Sequence, residues 1–293
     1  MSKLIVIILL LLLNTQLSAE YRIVKSKNGR DISIHTLAKE LKKYDVIFVG
    51  EEHGNATIHS FQKELLPLIY HPKKKLILSF EMWERDTQEI VDAFLADRID
   101  ESSFISESRA WDNYQDSYRP LLLYGKEHKL PVIAANVPRS FAGRVSRGGL
   151  AALNELPPEE KRFIASTIHT PDDAYKIAFY GTMQRMGGHL FDSESLQRYY
   201  EAQCIKDDTM AESIVIALDY HKKARLIHFN GAFHSNNFQG TVSRLQNALP
   251  KLKIAVISPI FPEDWQSLPP DKELRNRGSY LLLLNKNAKE VAE

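Results

Sequence analysis

Apolar residues along the chain follow two different periods. Short runs rich in Val, Ile, Leu and Phe predict strands at Asp45–Gly50, Leu76–Glu81, Pro131–Val137, Arg225–Gly231, Lys253–Ser258 and Ser279–Leu284. Between them, Ile34–Lys43, His59–Tyr70, Thr87–Leu95 and Tyr118–His128 carry apolar residues at three- and four-residue spacing, which predicts helices with one buried face. Tyr21–Val24 is expected to add an edge strand. Regular alternation of the two patterns predicts an α/β fold: a mainly parallel central sheet flanked by helices.

That rhythm breaks between Pro157 and His189, which predicts a helical insertion between the later strands. Pro157-Pro158 opens a helix, with Glu159 and Glu160 near its positive end. His169-Thr170-Pro171-Asp172-Asp173 is a second start: Thr170 as N-cap, Pro171 as first helical residue, Asp173 at the capping-box position. Gly187-Gly188 stops that helix, and a long one from Ser193 to His221 returns the chain to the sheet. The expected organisation is therefore a leader over 1–19, a first part of the core over 20–156, the insertion over 157–192 and a second part of the core over 193–293.

The start of the sequence reads as a secretory signal. Lys3 precedes ten apolar residues, Leu4–Leu13, then a polar and small-residue stretch to Ala19. Ten residues are too few to span a bilayer, which takes roughly 20. Export, to the periplasm or the outer membrane, is the expectation. Cys204 is the only cysteine, so no internal disulfide can form and the leader holds no lipobox cysteine. Among 293 residues the formal net charge is +1, which gives no electrostatic reason to expect nucleic acid as partner. Neither a P-loop nor a G-x-G-x-x-G run is present.

Polar residues gather where the predicted strands end. Glu51, Glu52 and His53 follow Val46–Gly50; Glu81 ends its strand; Arg139 follows the strand that ends at Val137; His228 and His234 flank the end of Leu226–Gly231. Ligands of open α/β sheets bind beyond the carboxyl ends of strands, so one rim carrying carboxylate, imidazole and guanidinium groups is a candidate cleft. Such groups can hold a divalent metal or activate water, which makes a metal-dependent hydrolase the alternative function. His228 has a second reading as a core histidine, because it lies within its strand beside Leu226 and Asn230 on one face.

Gly50-x-x-His53 and Gly231-x-x-His234 repeat one short motif, and together with Glu81 they resemble the Tiki-like superfamily, which includes erythromycin-esterase-like proteins. The resemblance narrows at Asn136-Val-Pro-Arg139, Arg144–Leu150, Leu156-Pro-Pro-Glu159, Glu201–Ala211 and Asn230–His234, which together are similar to the ChaN family. That resemblance implies an exported haem-binding protein of iron uptake, with haem held between two subunits, tyrosine on the iron, histidine near the propionates, and an outer-membrane haem-uptake system as partner. It makes haem binding a stronger expectation than enzymatic activity.

The insertion is the expected haem region. Tyr175, Phe179, Met183 and Met186 form one stripe, while Ile177, Ala178 and Gly181 fall on other faces and Tyr180 lies between stripes, so the helix needs more than one burial partner. Tyr175 or Tyr180 is the expected iron ligand, since ferric haem favours a phenolate. His169, His189 and Arg185 are expected near the propionates, His169 and His189 also as alternative ligands. Without C-x-x-C-H, attachment is expected to be non-covalent. A flat apolar macrocycle has two faces to bury, so a homodimer is expected.

Overall fold

The computed structural model describes residues 21–187, 192–267 and 272–285. An eight-stranded sheet forms its middle: β1 (Tyr21–Lys25), β2 (Asp31–Ile32), β3 (Val46–Glu51), β4 (Leu76–Glu84), β5 (Val132–Asn136), β6 (Arg225–Gly231), β7 (Ile254–Ile260) and β8 (Tyr280–Leu284), in the spatial order β2-β1-β8-β7-β3-β6-β4-β5. Neighbours from β8 to β5 are parallel. The Tyr21 strand, expected at an edge, is antiparallel to β8 and is itself covered by the two-residue β2.

Side chains alternate across the sheet, and both faces are buried. Ile47, Val49, Leu78, Phe80, Ile227, Phe229 and Ile257 point to one side. There they meet α1 (Ile34–Leu41), α2 (Ala56–Ile69), α3 (Gln88–Leu95), α4 (Glu101–Glu107) and α5 (Arg119–Glu127). Val46, Phe48, Ile77, Leu226 and Val256 point to the other, against Ala211, Ile214 and Ala217 of α9 (Ser193–Tyr220) and Val242 and Leu245 of α10 (Thr241–Ala248). Strands buried on both faces read as near-continuous apolar runs, which is why they were legible as strands.

Two devices position the site. The chain leaves β3 at Glu51 and caps α2 with Asn55, whose side chain accepts from the Ile58 amide at 3.0 Å. At β4 the strand does not stop at Glu81; a register shift between Phe80 and Glu84 carries it three residues further, so Glu81 and Glu84 both reach the rim. From β5 the chain passes through α6 (Arg139–Gly148), α7 (Pro158–Lys161) and α8 (Ala174–Gly187) before α9. Helix α8 begins at Ala174, three residues later than Pro171: Asp173, not Thr170, caps it, accepting from the Tyr175 amide at 2.9 Å. Asp192 caps α9 in the same way through the Ser195 amide at 2.7 Å.

Candidate functional site

Beyond the ends of β3, β4 and β6 lies a cleft of about 670 Å³, lined by His53, Glu81, Glu84, Trp111, Asn136, Arg139 and Lys206 among others. Its walls are built from two carboxylate–imidazole relays.

The first runs from Glu51 to His53. Glu51 is buried and its carboxylate accepts from His53 Nδ1 at 2.8 Å, Tyr118 Oη at 2.7 Å and Gln62 Nε2 at 2.6 Å. Burial would raise its pKa, but the His53 bond and the imidazole charges outweigh this and hold it below the usual carboxylate range. His53 responds in the opposite sense: burial lowers it, while the Glu51 bond and the Glu81 charge bring it above its ordinary value. Its backbone carbonyl is fixed by His59 Nε2 at 2.8 Å and Asn113 Nδ2 at 2.6 Å, and Trp111 meets its ring edge-to-face at 4.7 Å.

The second relay is Glu81–His234–Asp207. His234 donates from Nδ1 to Asp207 Oδ1 at 2.7 Å and approaches Glu81 Oε1 through Nε2 at 3.3 Å. Burial alone would push the imidazole down; the charges of Glu81 and Asp207 win and hold it at about 10. Glu81 and Asp207 are held low despite burial, each mainly by the His234 charge. The other Glu81 oxygen accepts from the Gly231 amide at 2.6 Å.

The paired Gly-x-x-His motifs have a steric origin. Strands β3 and β6 are neighbours, with Gly50 opposite Asn230 and Glu51 opposite Gly231. A Cβ on Gly231 would come within 2.8 Å of His53 Nε2, and a Cβ on Gly50 within 3.2 Å of the Ala232 Cα. Each glycine therefore makes room for the segment carrying a histidine.

Not every expected residue joins the cleft. His228 is a core histidine, bound through Nδ1 to Ser79 Oγ at 2.9 Å and set edge-to-face against Phe48. Burial drives its pKa down to about 3, so it is neutral, and it does not line the cleft. Glu52 is exposed and also outside the lining. Arg139 is at the rim, paired through Nε with Glu84, which also binds Arg109 at 2.7 Å. The expectation of a divalent metal is not supported: among the described residues no group of three or more His, Cys, Asp or Glu is placed to hold one. The reason is visible in the relays, where the Glu51 and Glu81 oxygens already face protein donors.

The predicted α8 stripe divides along its length. Tyr175 and Phe179 are buried with Tyr200 and Cys204, Met183 is half-buried, and Met186 emerges with 80% of its surface exposed. On the opposite face Ile177 is 73% exposed. Tyr175 donates its hydroxyl to Asp207 Oδ2 at 2.6 Å, and burial followed by the Asp207 charge raises its pKa well above 10. A phenol so bound is not presented to a ligand, which tells against Tyr175 as iron ligand. Tyr180 is half-buried, donating to Gln197 Oε1 at 3.0 Å, and Arg185 is exposed on the same helix. His169 turns away to Asp208, at 3.0 Å, in a depression beside Arg244. His189 lies outside the described residues, as does the 1–19 leader.

Sequence reasoning gave no role to Lys206, Asp207, Tyr118, Trp111 or Glu84. Asp207 carried a signal, falling at helical spacing among Tyr200, Cys204, Ala211 and Ile214 of a long helix, where an unpaired carboxylate is costly. Trp111 and Tyr118 carried none, since their place depends on how the Asn113–Tyr118 turn folds back on β3.

A family model described as haem-binding uptake, Tiki superfamily, ChaN matches residues 37–245. No curated protein matches the chain. Among solved structures, one described as cofacial haem binding to ChaN of Campylobacter jejuni superposes with a TM-score of 0.69 at 16% identity, covering 90% of this chain and 97% of that one. The type III effector HopBA1 follows at 0.46 and 12% identity, covering 85% of this chain and 91% of its own. A mutant erythromycin esterase EreC in its open conformation gives 0.45 and 10%, covering 82% and 76%. The first of these likenesses shows a shared fold.

Proposed function

The chain belongs to the ChaN family of the Tiki superfamily, and from that premise we propose that it binds haem non-covalently on α8, between two copies of the chain, for haem or iron acquisition or storage outside the cytoplasm. Support comes from the family and from the Campylobacter jejuni protein of the same fold, whose structure is described as cofacial haem binding.

One observation carries the placement. Helix α8 leaves Ile177 and Met186 exposed, with the Tyr180 phenol half-buried between the turns that bear them. Because the two stand on opposite sides of the helix, α8 has two apolar contacts to cover and not one patch. Ile177, Met183 and Met186 suit the faces of a flat macrocycle, and Arg185 suits a propionate. When bound, haem would supply a ferric centre that takes a phenolate. Of the two expected tyrosines, Tyr180 holds only a neutral amide partner at its hydroxyl among the described residues, whereas Tyr175 is committed to a buried carboxylate. Tyr180 is thus the proposed ligand and Tyr175 a brace of the helix.

Titrating the purified protein with haemin while recording absorbance tests the reading. Saturable binding with a ferric tyrosinate-type spectrum, lost in Tyr180→Phe, is the expected result. Absence of saturable binding would remove the proposal.

A further inference from the structure

The cleft at the strand ends has hydrogen-bonding capacity left over, and apart from the exposed Asp112 carboxylate and the Asn113 amide oxygen it is donor capacity. Its buried carboxylates are spent: Glu51 on His53, Gln62 and Tyr118, Glu81 on Gly231 and His234, Glu84 on Arg109 and Arg139. Its donors are not. Lys206 lines the cleft and makes no hydrogen bond or ion pair with the described residues; its charge acts on Glu81 only at a distance. His53 uses Nδ1 on Glu51 and leaves Nε2 without an acceptor among the described residues. Arg139 uses Nε and one terminal nitrogen, leaving Nη1, and Asn136 spends its carbonyl oxygen on the Val137 amide, leaving Nδ2.

Charge alone does not decide the ligand, because the acids and bases around the cleft nearly balance. Unmatched donors do. An ammonium offers three N–H groups and no acceptor, and the charged form of His53, which Glu51 and Glu81 favour, adds an Nε2–H donor to the Nδ1–H given to Glu51. A ligand that satisfies them must be rich in acceptors and carry negative charge. Beside them stands the Trp111 indole, held edge-on to His53, which offers an apolar face. About 670 Å³ is the size of a small-molecule site.

We infer that this cleft is a binding site for a small organic oxyanion, a carboxylate or phosphate ester bearing a planar ring, with Lys206, His53 and Arg139 on the oxyanion and Trp111 against the ring. The site is separate from the α8 surface and does not depend on haem. Lys206 comes from α9, His53 from the β3 turn and Arg139 from the start of α6, so the ligand would touch three separate elements.

Calorimetric titration of the full chain with phenyl phosphate, benzoate and inorganic phosphate tests it. Phenyl phosphate or benzoate should bind with one-to-one stoichiometry and more tightly than inorganic phosphate; the better of the two assigns the headgroup. Lys206→Met should weaken binding by roughly tenfold or more, the value of one charge-assisted contact. Trp111→Leu should erase the preference for the ring-bearing probe, and Trp111→Phe should restore it, which a merely structural tryptophan would not do. Lys222→Met, at an exposed lysine paired with Asp219, should bind as the parent does. The inference is overturned if no probe gives saturable heat with the parent protein, or if folded Lys206→Met, judged by an unchanged melting curve, binds as tightly as the parent. If Lys206→Met does not fold, Trp111→Leu decides: an unchanged preference for the ring also overturns the inference.

Discussion

The hydroxyl of Tyr175 donates a 2.6 Å hydrogen bond to Oδ2 of Asp207, joining the α8 helix to the ionised relay behind the strand-end cleft. Asp207 is a junction: its other oxygen takes His234 Nδ1 at 2.7 Å and Thr241 Oγ1 at 2.8 Å, and Arg244 lies 3.9 Å from Oδ2. The surface proposed for haem and the cleft proposed for an oxyanion thus share one buried carboxylate.

Tyr175→Phe keeps the ring packing against Phe233 and Tyr200 but removes the hydroxyl. Leaving part of a buried carboxylate unsatisfied should cost about 1–3 kcal/mol. The expected outcome in chemical denaturation is a lower midpoint with an unchanged slope, and a haem spectrum that stays tyrosinate-type. Loss of that spectrum in Tyr175→Phe, with Tyr180→Phe like the parent, would make Tyr175 the iron ligand in place of Tyr180.

His234 makes stability depend on pH. Its folded pKa, about 10 against an ordinary 6.5, means that its contribution is complete below pH 6.5 and disappears as pH rises through 10. Glu81 and Asp207 are depressed from 4.5 and 3.8, so theirs is present above those values and falls away in acid. The relay therefore supports the fold most between pH 4.5 and 6.5. His234→Gln should lower Tm at pH 6, by the equivalent of about 3–5 kcal/mol for a broken buried pair, and should flatten the decline of Tm between pH 7 and 10. A variant whose Tm falls as steeply as the parent's would place the alkaline sensitivity elsewhere.

Gly231→Ala should disturb the cleft from below. The new methyl would stand 2.8 Å from His53 Nε2, so the imidazole must move off Glu51 or the strand must shift. Overpacking of this kind costs about 1–3 kcal/mol. Titration of the His53 ring by NMR should show its pKa falling back from its raised value as the Glu51 bond is lost, and an unmoved titration curve would refute the steric account of the motif.

The core strands were legible because they are buried on both faces: Val46–Val49 is an unbroken apolar run and Leu76–Phe80 is interrupted only by Ser79, both of strand length and bounded by polar residues. Glu51, His53, Glu81, Arg139 and His234 were legible as rim residues because their positions follow from where those runs stop. His228 was not separable from them by sequence, since its neutral state follows from complete burial in the fold and its partner Ser79 stands on the neighbouring strand, 149 residues away in sequence. The start of α8 was misplaced by three residues because Thr170 and Asp173 both cap well; the backbone of His169, bound to Asp208 at 2.8 Å, holds the earlier residues out of the helix. The difference between Tyr175 and Tyr180 depends on Asp207, thirty-odd residues away in sequence, so no helical spacing reveals it.

Haem and a second copy of the chain should be thermodynamically linked. On α8, Ile177 and Met186 lie on opposite sides of the helix axis, so one copy can lay only part of this apolar surface against a flat ligand. A macrocycle with one face on α8 leaves the other in water, and burying it against a second α8 recovers apolar area at roughly 25 cal/mol per Å². Whatever binds the dimer more tightly than the monomer must also favour the dimer. Sedimentation across a range of protein concentrations should therefore show haemin raising the dimer fraction. Met186→Glu, which puts a charge into that face, should weaken both haemin affinity and haemin-driven association, whereas His53→Ala, in the strand-end cleft, should leave both near the parent values. Equal association of haem-loaded and haem-free protein at every concentration would separate haem binding from dimerisation, and the second copy would then have no part in the site.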